Sequence, residues 1–140
     1  MRRALPGGYE LDDDRGRIDR AAVHAYLAGE SYWAEGRARE VNDALVAGAQ
    51  RVVGLYHGGR QVGYSRTLSD GHIRSYLADV YVLAAHRGRG LGVELVRFTV
   101  EEGPFASTAW LLHTADAHGL YARFGFRAAS DRVLERPRPG

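Results

Sequence analysis

The chain has 140 residues, no cysteine, and 19 basic against 17 acidic residues, for a net charge of +2. That length allows one domain and can bury roughly 70% of its unfolded surface, so a true core is within reach. Composition excludes disulfides, CxxC redox centres, thiolate zinc sites and cysteine nucleophiles; because every basic residue is arginine, it also excludes lysine Schiff bases and a P-loop lysine. The charge is too evenly balanced to indicate a nucleic-acid partner. No apolar run approaches the roughly 18 residues of a membrane span, and Ala4-Leu5-Pro6-Gly7-Gly8 is no signal-peptide core. The expectation is a cytoplasmic protein with no metal and no membrane or nucleic-acid partner.

Residues 1–8 and 136–140 read as loose ends around one mixed α/β domain. Tyr9 to Asp12 is a short strand. Asp19 can cap a helix through about Leu27, with Ala22, Ala25 and Tyr26 on one face. Ser31-Tyr32-Trp33 forms an aromatic turn before a second helix over about Arg39–Ala47. Arg51–Tyr56 and Gln61–Thr67 are strands joined by His57-Gly58-Gly59-Arg60, a hairpin turn with its glycine pair. Ser69-Asp70-Gly71-His72 is another turn, and Tyr76–Leu83 a long strand. A helix opens within Arg87–Gly92 and runs to about Glu102, where Gly103-Pro104 stops it. Ala109–His113 is a strand, Asp116–Phe124 a helix and Arg132–Glu135 a last short strand. This order predicts antiparallel strands first, then a parallel pair, 76–83 with 109–113, joined by the 90–102 helix.

The most informative segment is Arg87-Gly88-Arg89-Gly90-Leu91-Gly92, between a strand and a helix. It places free backbone N–H groups and the positive end of a helix dipole together. Glycines let the backbone approach a phosphate closely, and Arg87 and Arg89 add charge. Phosphate binding and mere tight packing both fit such a turn. An RNA contact by the Arg-Gly repeat is a third option, but such repeats normally lie in disordered segments.

These residues resemble the (Q/R)xxGx(G/A) motif of the GNAT N-acetyltransferases. Asp79-Val80-Tyr81-Val82 looks like that family's fourth strand, and Ala117 to Phe126 matches its AxxxYxxxGF helix. The likeness covers roughly residues 9–135 and is strongest over 76–126. It implies the GNAT acyl-CoA N-acyltransferase fold, with a splayed parallel pair, and transfer of an acetyl group from acetyl-CoA to a primary amine of a small molecule or peptide. A non-catalytic acyl-CoA sensor is the alternative. The family often dimerises, so a homodimer is an expectation of the resemblance alone.

The resemblance also assigns roles. Tyr121 is the acid for the leaving thiolate, since a phenol and an alkyl thiol have similar acidities. Val82, Leu83 and Ala84 supply backbone groups to the thioester carbonyl and the pantetheine arm. The loop Arg87, Gly88, Arg89, Gly90, Leu91 and Gly92 holds the pyrophosphate. Ala117 opens the tyrosine helix, and Arg123 either reaches a coenzyme phosphate or stays in solvent. Thr114 stands where the family commonly has an asparagine on the pantetheine arm. Asp79, an acid in an apolar strand, is either a base with a pKa raised by burial or a partner of a cationic group. Alternation puts it on one face with Leu77, Tyr81 and Leu83. His113 is an alternative base. Tyr32, Trp33 and Tyr81 are candidates for the acceptor pocket, where aromatic faces can hold an amine; Tyr32 and Trp33 fit equally well as a cover for the core. With no cysteine, attack is direct, without a cysteinyl intermediate.

Overall fold

A computed structural model describes residues 1–140. Its centre is a six-stranded sheet in sequence order, β1 (Arg2–Leu5), β2 (Tyr9–Asp12), β3 (Arg51–His57), β4 (Arg60–Ser69), β5 (Arg74–Val82) and β6 (Ala109–Leu112). The pairs β1 to β5 are antiparallel and β5–β6 is parallel, as the order of elements predicts. Helices α1 (Arg20–Gly29) and α2 (Arg39–Gly48) cover one face; α3 (Leu91–Val100) and α4 (His118–Ala122) cover the other. Asp19 does cap α1, accepting from Ala22 N at 3.0 Å.

Both faces are apolar for a local reason. On the α3 face, Leu11, Val53, Leu55 and Val62 meet Leu91, Leu95 and Phe98, which recur at helical spacing. On the other face, Val52, Tyr64 and Tyr81 meet Val23, Leu27 and Val46 of α1 and α2. Each such fully buried aliphatic or aromatic side chain contributes roughly 1.5–3 kcal/mol.

Three expectations need correcting. Residues 2–5 are not loose: Gly7 and Gly8, both at positive φ, turn the chain so that β1 pairs with β2 along its whole length. Arg132–Glu135 is not a strand. It lies beyond the sheet with Leu134 93% exposed, and Glu135 reaches back only to the His113 ring, at 3.1 Å from Nε2. The β5 alternation also breaks. Tyr64 faces Tyr81 and Arg66 faces Ala78, so β5 carries one extra residue between these pairs, a bulge containing Asp79 at φ 55. Leu77 therefore packs against Val96, Val100 and Tyr121 of the α3–α4 layer, whereas Tyr81 enters the α1–α2 core.

Pairing of β5 with β6 ends at Leu77 and Leu112, while β5 continues to Val82. The two strands thus separate beyond Leu77, and the outer edge of β5 over residues 78–82 is left without a neighbour. This gap, below the start of α3, positions the candidate site.

Candidate active site

A cleft of about 600 Å³ opens at the gap, lined by the α1–α2 loop (Ser31, Tyr32, Trp33), the end of β5 (Val80, Tyr81, Val82), the glycine loop and the α4 region (Asp116, Ala117, Leu120, Tyr121). Residues 26–33, 80–93 and 116–121, distant in sequence, therefore converge on it.

The glycine loop is shaped by its backbone. Gly88 and Gly90 have φ of 79 and 76, and Gly90 is the N-cap of α3 with no side-chain cap. A Cβ at either would meet nothing within 4 Å, so glycine is required here by the left-handed backbone and not by packing. The first helical bond runs from Glu94 N to Gly90 O at 3.2 Å. The N–H groups of Gly88, Arg89, Gly90, Leu91, Gly92 and Val93 have no acceptor in the chain. Donors converging on a helix N-terminus suit an anion. Gly90→Ala is expected to cost about 1–2 kcal/mol of stability through αL strain, read by urea denaturation; an unchanged midpoint would contradict the strained turn.

Arg87 differs from expectation. Its Nε donates to Val82 O and its Nη2 to the Tyr26 hydroxyl, both at 2.9 Å, so much of the guanidinium is committed to holding the loop against β5 and α1. Arg89 does not line the cleft; it lines a separate pocket across the loop.

The outer edge of β5 supplies backbone donors. Gly63 and Val82 stand opposite each other, and Leu83 N donates to Val62 O at 2.8 Å. By antiparallel geometry the N–H and C=O of Val82 then point away from β4, into the gap. Arg87 takes the carbonyl, and the N–H remains. Of the stretch 82–84, Leu83 is thus committed to the sheet and Val82 faces the cleft.

Tyr121 lies in the α4 turn, 8% exposed, among Leu77, Val96 and Val100. Burial, with smaller contributions from Tyr32 and Asp116, pushes its phenol up to about 12. It is therefore protonated throughout the neutral range. The free-solution match between phenol and thiol acidities does not survive this shift, so Tyr121 is suited to donating a hydrogen bond more than to surrendering its proton.

Asp79 is the most heavily engaged carboxylate in the molecule. Oδ2 accepts from Arg66 Nε at 2.8 Å and Arg37 Nη1 at 2.9 Å; Oδ1 accepts from Trp33 Nε1 at 2.9 Å and Arg37 Nη2 at 3.4 Å. Burial alone would raise its pKa, but Arg37 and Arg66 outweigh it and hold the carboxyl below its ordinary value. This corrects the expectation of a raised pKa. Of the two readings for Asp79, the arrangement matches the arginine partner. Trp33 and Arg37 reach it because the α1–α2 loop is pinned: Ser31 Oγ donates to Leu27 O and accepts from Ala34 N, and His24 Nε2 bonds Arg37 O.

The remaining candidates divide. Tyr32 and Trp33 flank the cleft edge to face, and the Tyr32 hydroxyl accepts from Ala115 N at 2.9 Å, bridging the gap. Tyr81 lines the cleft but is mostly buried, stacked on Tyr26 at 4.0 Å. His113 stands outside, between the Tyr76 hydroxyl and Glu135. Thr114 accepts from Ala117 N at 3.1 Å, in the turn just before α4. Leu83 and Ala84 are not on the lining, and Arg123 is exposed and away from it. Sequence reading missed Arg37 and Arg66 as the partners of Asp79. Arg66 gives no such signal in the sequence, because it lies among Gln61, Ser65 and Thr67; only the fold buries this strand.

Comparisons with known proteins agree with this geometry. The family model described as an acetyltransferase (GNAT) domain matches residues 48–128, more than half of the chain. A solved structure of a GNAT-family protein from Xanthomonas campestris pv. campestris is similar with 31% identity and TM-score 0.89, over 98% of this chain and 97% of that one. A GNAT-family acetyltransferase from Streptococcus pneumoniae TIGR4 shares the fold at 19% identity and TM-score 0.68, over 92% and 99% of the two chains. So does an aminoglycoside acetyltransferase from an uncultured soil metagenomic sample, at 18% identity and TM-score 0.65, over 94% and 98%. A search of curated proteins finds no match. With its glycine loop, its parted strands and its cleft tyrosine in one site, the chain belongs to the GNAT acetyltransferase family.

Proposed function

We propose that the chain transfers the acetyl group of acetyl-CoA directly to a primary amine of a small molecule or peptide. The observation that carries this is the continuity of the cleft: unpaired N–H groups over 88–93 at one end, the outer edge of β5 in the middle, and the Tyr121 hydroxyl beside it. The loop donors fit a pyrophosphate, and the open strand edge fits an amide-bearing arm lying as an added strand. Bound there, the coenzyme would supply the activated thioester.

The chain's own groups then account for the rest. The Val82 N–H is available to a carbonyl oxygen that gains charge as the amine attacks. Tyr121 donates to the departing sulfur. Trp33 and Tyr32 wall the acceptor side, with Glu30 and Asp116 the carboxylates on the lining. Asp79 anchors that wall through Trp33 and Arg37, and the amine proton leaves to solvent.

Acetyl-CoA at 100 times its dissociation constant is expected to add about 2.7 kcal/mol of stability, seen as a rise in Tm. No shift at millimolar acetyl-CoA would remove the coenzyme reading. An amine panel followed by free-thiol release then separates a transferase from a sensor: binding without turnover on any amine would favour the sensor.

A further inference from the structure

We propose that a second pocket, on the opposite side of the glycine loop, is a binding site for a phosphate-type anion. It encloses about 360 Å³ and is lined by Pro6, Gly7, Tyr9, His57, Ala85, His86, Arg89 and Leu91. Leu91 also lines the cleft, so one loop separates the two spaces. Polar side chains of four segments meet here: Tyr9 from β2, His57 from the end of β3, His86 from the 3-10 turn Ala84–His86 and Arg89 from the loop. No carboxylate is on the lining. Arg89 makes no ion pair or hydrogen bond within the chain, unlike Arg37, Arg51, Arg66 and Arg87.

The three ring side chains are held in place. The His57 ring stacks on Tyr9 at 4.3 Å, and the Tyr9 hydroxyl bonds His86 Nδ1 at 2.7 Å. His57 Nε2 faces the Gly7 carbonyl at 3.2 Å. A carbonyl only accepts, so Nε2 carries the proton and Nδ1 is the free position. His86 can likewise gain a proton and keep its bond to Tyr9, because a hydroxyl both donates and accepts. Both imidazoles can therefore charge without losing a contact. Their ring centroids are 5.5 Å apart, so two imidazolium charges repel unless an anion lies between them and Arg89. A tetrahedral oxyanion with several acceptor atoms meets that requirement.

Two sources of phosphate fit this chemistry. One is the 3′-phosphate of a coenzyme lying in the adjoining cleft, which rests on the function proposed above. The other is a separate phosphate, which does not. The test is calorimetric titration of CoA and 3′-dephospho-CoA into the wild type, Arg89→Ala and His57→Phe, the last keeping a ring on Tyr9. Inorganic phosphate is titrated in parallel while the His57 and His86 C2–H resonances are followed. CoA binding about tenfold tighter than 3′-dephospho-CoA, with the difference lost in both variants, assigns the pocket to the coenzyme. Equal binding of the two, with phosphate-dependent histidine shifts that Arg89→Ala abolishes, assigns it to a separate anion. Equal binding with no histidine shift overturns the proposal, as does a tenfold difference that both variants retain. If neither coenzyme form binds but phosphate still moves both histidines, the function reading fails while the pocket stands.

Discussion

Replacing Tyr121 by phenylalanine is expected to lower kcat by about a hundredfold or more while leaving acetyl-CoA binding and folding intact. The separation of these effects follows from where the hydroxyl sits. The ring packs among Leu77, Val96 and Val100 and lies edge-on to Phe126 at 5.7 Å, and phenylalanine keeps all of these contacts. No group of the chain bonds the hydroxyl that is removed, so no partner is left unsatisfied. Tm should hold or rise slightly, as where a polar group is kept for catalysis at some cost to stability. With the phenol pushed up to about 12, the wild-type kcat should show no alkaline loss from this group across the neutral range. Turnover unchanged in Tyr121→Phe with every active amine would eliminate Tyr121 as the group at the leaving sulfur.

Much of this site is legible in the amino-acid sequence, and the reason is local. The glycine loop, the strand preceding it and the tyrosine helix each carry their signal within a short stretch of chain. The features that escape a sequence reading depend on information of other kinds. Gly7-Gly8 and Gly58-Gly59 are the same hairpin signal, yet Gly7-Gly8 adjoins a four-residue strand beginning Arg2-Arg3, whose pairing only β2 makes evident. Arg132–Glu135 carries Val133 and Leu134 side by side, yet it forms no ladder with the edge strand β6. The bulge at Asp79 is one extra residue, and nothing in the apolar run 76–83 marks it; a carboxylate able to adopt φ 55 is the sole hint. Arg37 and Arg66 reach Asp79 from 42 and 13 residues away. The out-of-place charge of Asp79 is visible in the sequence; which charges meet it is a matter of tertiary structure.

Asp79 is where that difference has the largest energetic consequence. Asp79→Asn is expected to cost about 3–5 kcal/mol. The amide keeps the shape but removes the one charge that balances both Arg37 and Arg66, whose side chains are only 17% and 9% exposed. Two buried guanidinium groups would then face each other without compensation. Adding Arg66→Met should restore part of the loss, because the pair is coupled. The pH dependence has a definite sign. The folded-state pKa lies below the ordinary value, so the contribution of Asp79 is fully present above about pH 4 and is lost as pH falls through the folded pKa. The carboxylate is ionised at every pH where acetyl transfer is measured, so a limb of the pH–rate profile near neutrality cannot belong to it. Through Trp33 the substitution should also loosen the acceptor wall and raise KM for the amine, with kcat falling only severalfold in protein kept folded at low temperature. A base would show the reverse: kcat lost and stability kept. That outcome would return Asp79 to the chemistry and remove it as the anchor of the α1–α2 loop.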